Sequence, residues 1–298
     1  MHDVMLPFYG RVDHLRQAVA SVLAQTDVDW RLVVVDDHYP DESAYEWLAS
    51  LSDPRIEVYR RESNQGINAS FAECVERSRA DWVTIFGCDD LMEPGYLAGV
   101  RRLAQTWPDA TMIHPSTRII DADGRPVRTL VDWAKARYRP SGDGVHLLRG
   151  EKLATSVTRG NWMNFPAVAW RGEQLRATGF RPGLNVVQDL ALVLDLAEAG
   201  GVLVVENGEP TFSYRRHAGS VSSWRAVDGS RFEEERAFFR ESAARFRDLG
   251  WSRAERAARW HVSSRINAIT QLPRALRAGD RAGVSALTRH AVALSPRG

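Results

Sequence analysis

The chain has 298 residues, of which 44% are hydrophobic and 26% are charged, and its net charge is +1. At this length it can bury a sizeable core, as one large domain or as a domain with an extension. The nearly neutral charge gives no argument for nucleic acid or an acidic partner.

The two cysteines, Cys74 and Cys88, exclude a disulfide framework, and neither has a second metal ligand at a typical spacing. We expect both to behave as small buried apolar residues. The N-terminal residues lack the basic and apolar regions of a signal peptide. No apolar run approaches the ~20 residues that span a bilayer. We therefore expect a soluble, cytoplasmic protein, and we leave peripheral contact with the inner face of the membrane open.

The first third of the chain alternates between strand and helix patterns. Strands are predicted at Val4–Leu6, Arg31–Val35, Ile56–Tyr59 and Trp82–Phe86, the last of which has the pattern of a buried parallel strand. Helices are predicted at Asp13–Leu23, from Asp41 through Leu51, and at Gly66–Arg79. The first of them is amphipathic, with Leu15, Val19, Val22 and Leu23 on one face. This alternation is typical of a parallel, doubly wound sheet.

Polar residues follow each predicted strand, at the sheet edge where such folds bind ligands. They are Tyr9, Asp36, Asp37, Asn64, Asp89 and Asp90. Asp89 and Asp90 are adjacent at the end of a buried strand, where two carboxylates repel each other. A divalent metal carrying a phosphorylated substrate is the natural partner for such a pair.

The pattern is looser in the second half. A hairpin is predicted between Met112–Ile120 and Val127–Val131, because residues 121–126 form a turn signal. Residues 137–144 are predicted to form a loop, Asn185–Ala199 a helix, Val202–Val205 a strand, and Pro210–His217 a strand or loop. From Phe232 onward the chain is predicted to be helical, with a break at Pro273.

Seven short segments stand in order along residues 4–222. They are P-F-Y-G at 7–10, S-V-L-A-Q-T at 21–26, V-V-V-D-D at 33–37, N-Q-G at 64–66, G-C-D-D-L-M-E-P at 87–94, Q-D-L at 188–190 and Y-R-R-H-A-G-S-V-S at 214–222. Each is weak alone, but V-V-V-D-D and the D-D…P segment are strong together. In these segments the chain resembles the family 2 glycosyltransferases of the GT-A fold, over roughly three quarters of its length.

The resemblance implies a nucleoside diphosphate sugar donor, with a UDP- or dTDP-sugar favoured, and Mn²⁺ or Mg²⁺ as the cofactor. The implied nucleotide-sugar contacts are Pro7, Tyr9, Asp37, Asn64 and Asp89. The implied metal ligands are Asp89, Asp90 and His217. The implied catalytic base is Asp189, which takes the proton of an acceptor hydroxyl as it attacks the anomeric carbon from the opposite face, with inversion. The metal would neutralise charge that develops on the diphosphate.

Three positions depart from the family pattern. Gly87 stands where an acidic residue is common, Gln188 stands where Glu is common, and Phe71-Ala72 replaces an Arg-Asn pair. Because of Gly87, a catalytically silent GT-A domain that binds nucleotide or glycan stays open as the alternative. A nucleotidyltransferase and an NAD-binding domain are disfavoured, since the loop after the first strand is P-F-Y-G-R and no G-x-G-x-x-G follows that strand.

We therefore predict an α/β GT-A domain over residues 1–225, with a Rossmann-like, mostly parallel central sheet flanked by helices. Residues 1–115 would form its nucleotide-sugar-binding half and 116–225 its acceptor-side half, followed by a C-terminal helical extension over 226–298. The acceptor is left open among a glycan, a lipid-linked molecule and a small molecule, and no nucleic-acid partner is expected.

The helical extension is basic, with 14 arginines against 7 acidic residues from Ser230 to Gly298. Such helices can lie on an anionic membrane, or they can pack on the catalytic domain or on a second subunit. We favour packing or a homodimer over membrane contact, because Glu233–Glu235 and Glu241 interrupt the basic face.

Overall fold

The computed structural model of the protein describes residues 1–128, 133, 135–216, 230–277 and 279–292. The first four strands are β1 (His2–Phe8), β2 (Trp30–Asp36), β3 (Ile56–Arg60) and β4 (Trp82–Ile85). β1 pairs in parallel with both β2 and β4, and β2 pairs in parallel with β3. The predicted alternation and the parallel sheet are therefore confirmed.

Three helices connect these strands: α1 (Val12–Leu23), α2 (Ser43–Ala49) and α3 (Ile67–Arg77). In α1, the predicted inward residues Leu15, Val19 and Val22 are fully buried. Leu23, predicted for the same face, is instead 40% exposed, and it is the last residue of the helix. The 3.6-residue period thus identifies the core face, and it fails only at the helix end.

Four further strands complete an eight-stranded sheet: β6 (Met112–His114), β8 (Gly144–Arg149), β9 (Ala169–Arg171) and β10 (Val202–Asn207). The strand order is β3-β2-β1-β4-β9-β6-β10-β8. β9 runs antiparallel between β4 and β6, and β8 is antiparallel to β10 at the edge. The sheet is therefore mostly parallel, with two reversed strands in its second half.

A smaller sheet has the order β5-β11-β7 and is built from β5 (Leu91–Met92), β7 (Thr117–Ile120) and β11 (Phe212–Arg215). The prediction of one strand over Met112–Ile120 is wrong, because the chain leaves the large sheet after His114 and joins the small one at Thr117. Pro115 lies at this crossing, where its missing N–H ends the first ladder. The predicted turn is confirmed, with the amide of Val127 donating to the carbonyl of Ile119, while 129–132 lie outside the described residues.

Apolar side chains fill both faces of the large sheet. Alternate residues of β1 serve different cores, since Met5 packs in one cluster and Val4 and Leu6 pack in the other. Four helices cover these faces in the second half: α4 (Tyr96–Thr106), α5 (Gly150–Gly160), α6 (Gly172–Thr178) and α7 (Gln188–Glu198).

The C-terminal helices are α8 (Ser230–Asp248), α9 (Ser252–Trp260), α10 (Val262–Arg277) and α11 (Arg281–Val292). The predicted break at Pro273 is wrong, because Pro273 lies inside α10. The hydrogen bond that proline removes would end at Ile269, which is exposed to solvent, so water can replace it. The predicted domain boundary at 225/226 lies outside the described residues.

The expected packing on the catalytic domain is confirmed for α8. Phe238, Phe239 and Phe246 belong to the larger core, and Arg245 of α8 forms ion pairs of 2.6 Å with Asp195 and Glu198 of α7. No described helix is both long and apolar enough to cross a bilayer.

Candidate functional site

The loops that follow β1, β2 and β4 contact one another at the carboxyl edge of the large sheet. The ring of Tyr9 meets Tyr39 edge-on at 5.4 Å, and the amide of Asp37 donates to the carbonyl of Phe8 at 3.0 Å. A Cβ atom placed on Gly10 would lie 3.3 Å from the sulfur of Cys88. The predicted convergence of these loops is therefore present in the structure.

Asp37 is buried and anchors the loop that opens α3. Its Oδ1 accepts hydrogen bonds from the guanidinium of Arg61 and the amide of Gln65, both at 2.9 Å. Its Oδ2 accepts one from the amide of Gly66 at 2.7 Å. The sequence did not identify Arg61 as a partner of this carboxylate. Asn64 precedes this pair of amides and is exposed, so its amide group is available to a ligand.

Asp90 is 1% exposed at the start of β5. Its Oδ1 accepts a hydrogen bond of 2.7 Å from the amide of Arg215. Its Oδ2 is buried and has no hydrogen-bond partner among the residues that the structure describes. Burial, together with the charge of Asp89, raises the pKa of Asp90 well above its ordinary value, although Arg215 lowers it. This buried carboxylate oxygen requires a partner that the described chain does not supply.

Gly87 stands where the family pattern has an acidic residue, and the carboxylates of Asp89 and Asp90 lie where a side chain at 87 would begin. A Cβ atom on Gly87 would lie less than 3.0 Å from Oδ2 of Asp90 and 3.1 Å from Oδ1 of Asp89. An acidic side chain at 87 is therefore incompatible with the present positions of these two carboxylates.

Arg215, which the sequence did not single out, connects three parts of the site. It is 2% exposed, and its guanidinium donates to the carbonyl oxygens of Asp89, Asp121 and Ala122 and to the amide oxygen of Gln17. All of these partners are neutral oxygens, so the positive charge remains available to stabilise the neighbouring carboxylates.

Asp189 lies in the first turn of α7 and is partly buried. Its Oδ1 accepts from the amide of Leu190 at 2.7 Å, and its Oδ2 accepts from the side-chain amide of Asn161 at 3.3 Å. Asn161 ends α5 in the left-handed conformation, with φ 34° and ψ 58°. The neighbouring Gln188 donates to the side-chain oxygen of Asn68 at 2.8 Å, which links α7 to α3. Asn161 and Asn68 were not predicted as site residues.

The charges of the predicted metal ligands and of the predicted base all act on Tyr214 of β11. Burial raises the pKa of this tyrosine, and the charges of Asp90, Asp89 and Asp189 raise it further. The described residues contain no group of three or more His, Cys, Asp or Glu side chains arranged to hold a metal ion. His217, the predicted third ligand, lies outside the described residues, so Asp89 and Asp90 are the candidate ligands that can be placed.

Other predicted positions have different surroundings. Tyr9 is 52% exposed, whereas Pro7 is buried within β1, where it pairs with Val35.

A cavity of about 620 Å³ beside α3 is lined by ion-paired residues such as Arg31 and Glu57. A larger cavity of about 960 Å³ lies along α5 and is basic, with lining residues that include Arg137, Lys152, Arg159 and Arg253.

Comparisons with known proteins place this geometry in a family. The sequence profile described as glycosyl transferase family 2 matches residues 3–162. An uncharacterised protein of Mycobacterium tuberculosis is 26% identical over 231 residues, covering 76% of this chain and 70% of that protein. The succinoglycan biosynthesis protein ExoO of Rhizobium meliloti is 26% identical over 218 residues, covering 72% of this chain and 60% of ExoO.

Two solved structures have the same fold. S. aureus TarS 1–349 in complex with UDP-GlcNAc superposes with a TM-score of 0.69 at 12% identity, covering 97% of this chain and 81% of that one. The mannosyltransferase PcManGT from Pyrobaculum calidifontis, in complex with GDP-Man and Mn²⁺, gives a TM-score of 0.60 at 15% identity, covering 97% and 79%. The chain belongs to glycosyl transferase family 2 and is a glycosyltransferase with the GT-A fold.

Proposed function

We propose that this enzyme moves a sugar from a nucleoside diphosphate donor to an acceptor hydroxyl with inversion, with Asp189 as the general base. The observation that carries the proposal is the buried Oδ2 of Asp90, which has no hydrogen-bond partner among the described residues and lies in the loop after β4, at the ligand-binding edge of the sheet. A base and a charge-neutralising centre in one site are what a single in-line displacement requires.

The buried Asp90 and the partly buried Asp89 fit a divalent cation. Oδ2 of Asp90 has no described partner, and the raised pKa of Asp90 reflects a charge that the metal-free protein does not compensate. Asp89 and Asp90 would hold Mn²⁺ or Mg²⁺, both of which accept carboxylate oxygens, and the family resemblance adds His217. The bound cation would supply Lewis-acid neutralisation of the charge that develops on the diphosphate.

The donor site is assigned to the loops after β1, β2 and β3. Tyr9 is 52% exposed and its ring lies nearly perpendicular to that of Tyr39, so the exposed part of the ring is where a nucleotide base would stack. Asp37 fixes the loop that carries the exposed Asn64, and it retains acceptor capacity at Oδ2 for the N–H of a base. Pro7, buried in β1, would shape the floor beneath Tyr9. The complexes of TarS with UDP-GlcNAc and of PcManGT with GDP-Man support this class of donor.

Asp189 would receive the acceptor proton. Asn161 donates to Oδ2, and the amide of Leu190 donates to Oδ1, so the carboxylate is held in one orientation with lone pairs left for a hydroxyl. The cavity along α5 is the proposed acceptor side. Arg159 lines this cavity, and Asn161, two residues later, donates to the proposed catalytic base, Asp189.

Thermal shift with UDP, dTDP and GDP, each with and without Mn²⁺, tests the metal and donor sites. A ligand that binds the folded state raises the melting temperature with the logarithm of its excess. We expect a Mn²⁺-dependent rise with one diphosphate that Asp90→Asn abolishes. Asp109→Asn, which removes an exposed carboxylate elsewhere, should keep the rise. A rise that ignores Mn²⁺ and Asp90 would contradict the proposed metal site.

A further inference from the structure

Helix α10 carries a row of large aliphatic side chains that no described part of the chain covers. Val262, Ile266, Ile269 and Leu276 follow one another at intervals of four, three and seven residues, which places them along one face of the helix. Their exposed fractions are 47%, 56%, 52% and 63%. Single exposed apolar residues are ordinary, but a contiguous row of this kind marks an interaction surface.

The opposite face of α10 is already occupied. Ala268 and Ala275 are buried in a cluster with Leu287 of α11 and Phe232 of α8. Turning the helix to hide the aliphatic row would expose this cluster. The exposure of the row is therefore imposed by the packing of the C-terminal helices.

The segment that carries the row is strongly basic in sequence. From Ser252 to Val292 the sequence has eight arginines and only two carboxylates, Glu255 and Asp280. Arg277, beside Leu276, and Arg281, at the start of α11, are exposed, and neither forms an ion pair with a described residue. Trp260, at the end of α9 and two residues before Val262, is 51% exposed.

We propose that this face of α10 docks on an anionic lipid bilayer. The aliphatic row enters the boundary between headgroups and acyl chains, while the arginines contact anionic headgroups. The carboxylates that favour a dimer from sequence, Glu233–Glu235 and Glu241, lie on α8, whereas α10 has three arginines and no carboxylate in its sequence. A second copy of this face is therefore a poorer occupant than an anionic surface. The inference is independent of the proposed transfer reaction, since it uses none of the residues around Tyr214.

Co-sedimentation of the full chain with vesicles tests the proposal. The vesicles contain phosphatidylcholine alone or phosphatidylcholine mixed with phosphatidylglycerol. The wild type should bind the anionic vesicles and should be released by high salt. The double variant Ile266→Ser/Ile269→Ser should bind them about tenfold more weakly, because it removes two inserting side chains. Val28→Ser, at a 71% exposed site between α1 and β2, should bind like the wild type.

Melting temperatures close to the wild-type value in both variants would exclude unfolding as the cause, since all three side chains are exposed. Absence of wild-type binding to anionic vesicles would overturn the proposal, and so would equal binding by the double variant. A concentration-dependent dimer in analytical ultracentrifugation that Ile266→Ser/Ile269→Ser abolishes would assign the face to a second copy instead, and would also overturn it.

Discussion

Gly87→Ala tests whether the two carboxylates must sit where the structure places them. The added methyl group would lie less than 3.0 Å from Oδ2 of Asp90. Since non-bonded heavy atoms are stable at about 3.5–4.0 Å, the carboxylate has to move by at least several tenths of an ångström. Oδ1 of Asp90 then moves away from the amide of Arg215, from which it accepts a hydrogen bond of 2.7 Å. A buried amide left without its acceptor costs about 1–3 kcal/mol.

We therefore expect Gly87→Ala to lower the free energy of unfolding by about 1–3 kcal/mol, measured by urea denaturation. We also expect it to remove the Mn²⁺-dependent rise in melting temperature that nucleoside diphosphate produces. Gly99→Ala is the matched control, because its Cβ atom would meet nothing within 4 Å in the middle of α4. It should stabilise the protein by about 0.5–1 kcal/mol through helix propensity. Wild-type stability with an intact Mn²⁺ response in Gly87→Ala would refute this reasoning.

Three further changes probe the same site. Burial and Asp89 raise the pKa of Asp90 in the folded state, so its contribution to stability is lost as pH rises through that pKa. Asp90→Asn should therefore raise the metal-free melting temperature at neutral pH, with the gain disappearing in acid. Melting curves against pH in a chelator check this, and a lower melting temperature at neutral pH would contradict it. Asn161→Gly suits the positive φ but removes the donor to Asp189, so kcat should fall about tenfold at unchanged stability. An unchanged kcat would show that this donor does not position the base. Arg215→Lys leaves several buried oxygens unpaired and should cost about 3 kcal/mol or more in urea denaturation, whereas the same change at the exposed Arg125 should cost less than about 0.5 kcal/mol. Equal costs at the two positions would contradict the structural role of Arg215.

The first half of the fold was predictable because most of its strands are continuous buried runs and its helices have a clear period. Such runs identify the parallel strands β1, β2 and β4, whereas β3 is half-buried at the edge of the sheet and follows from the strand–helix alternation. The split of Met112–Ile120 was not predictable from hydrophobicity, since both parts mix apolar and polar residues and only Pro115 marks the change of sheet. Pro273 predicts a helix break that the structure does not have. Residues of α10 on both sides of Pro273 are buried in one cluster, and this packing keeps the helix continuous.

In the site, the carboxylates were predicted from the sequence and their supports were not. Arg215 reads as an exposed basic residue in Y-R-R-H, and its burial becomes evident only once β11 packs beside Asp90. Asn161 has an ordinary helix-end sequence, and only its backbone conformation directs the side chain to Asp189. Partners that come together from distant segments leave no local pattern to read.

The central claim is that Asp189 is the base of a working transferase. The most direct test is release of nucleoside diphosphate from UDP-GlcNAc and GDP-Man with Mn²⁺, for the wild type and Asp189→Asn. We predict turnover of one donor by the wild type and a fall of about 10²-fold or more in Asp189→Asn, which should keep the thermal shift with that donor. Equal turnover by the two proteins would contradict the assignment of the base. A wild type that binds a donor and never turns it over would instead identify a silent GT-A domain.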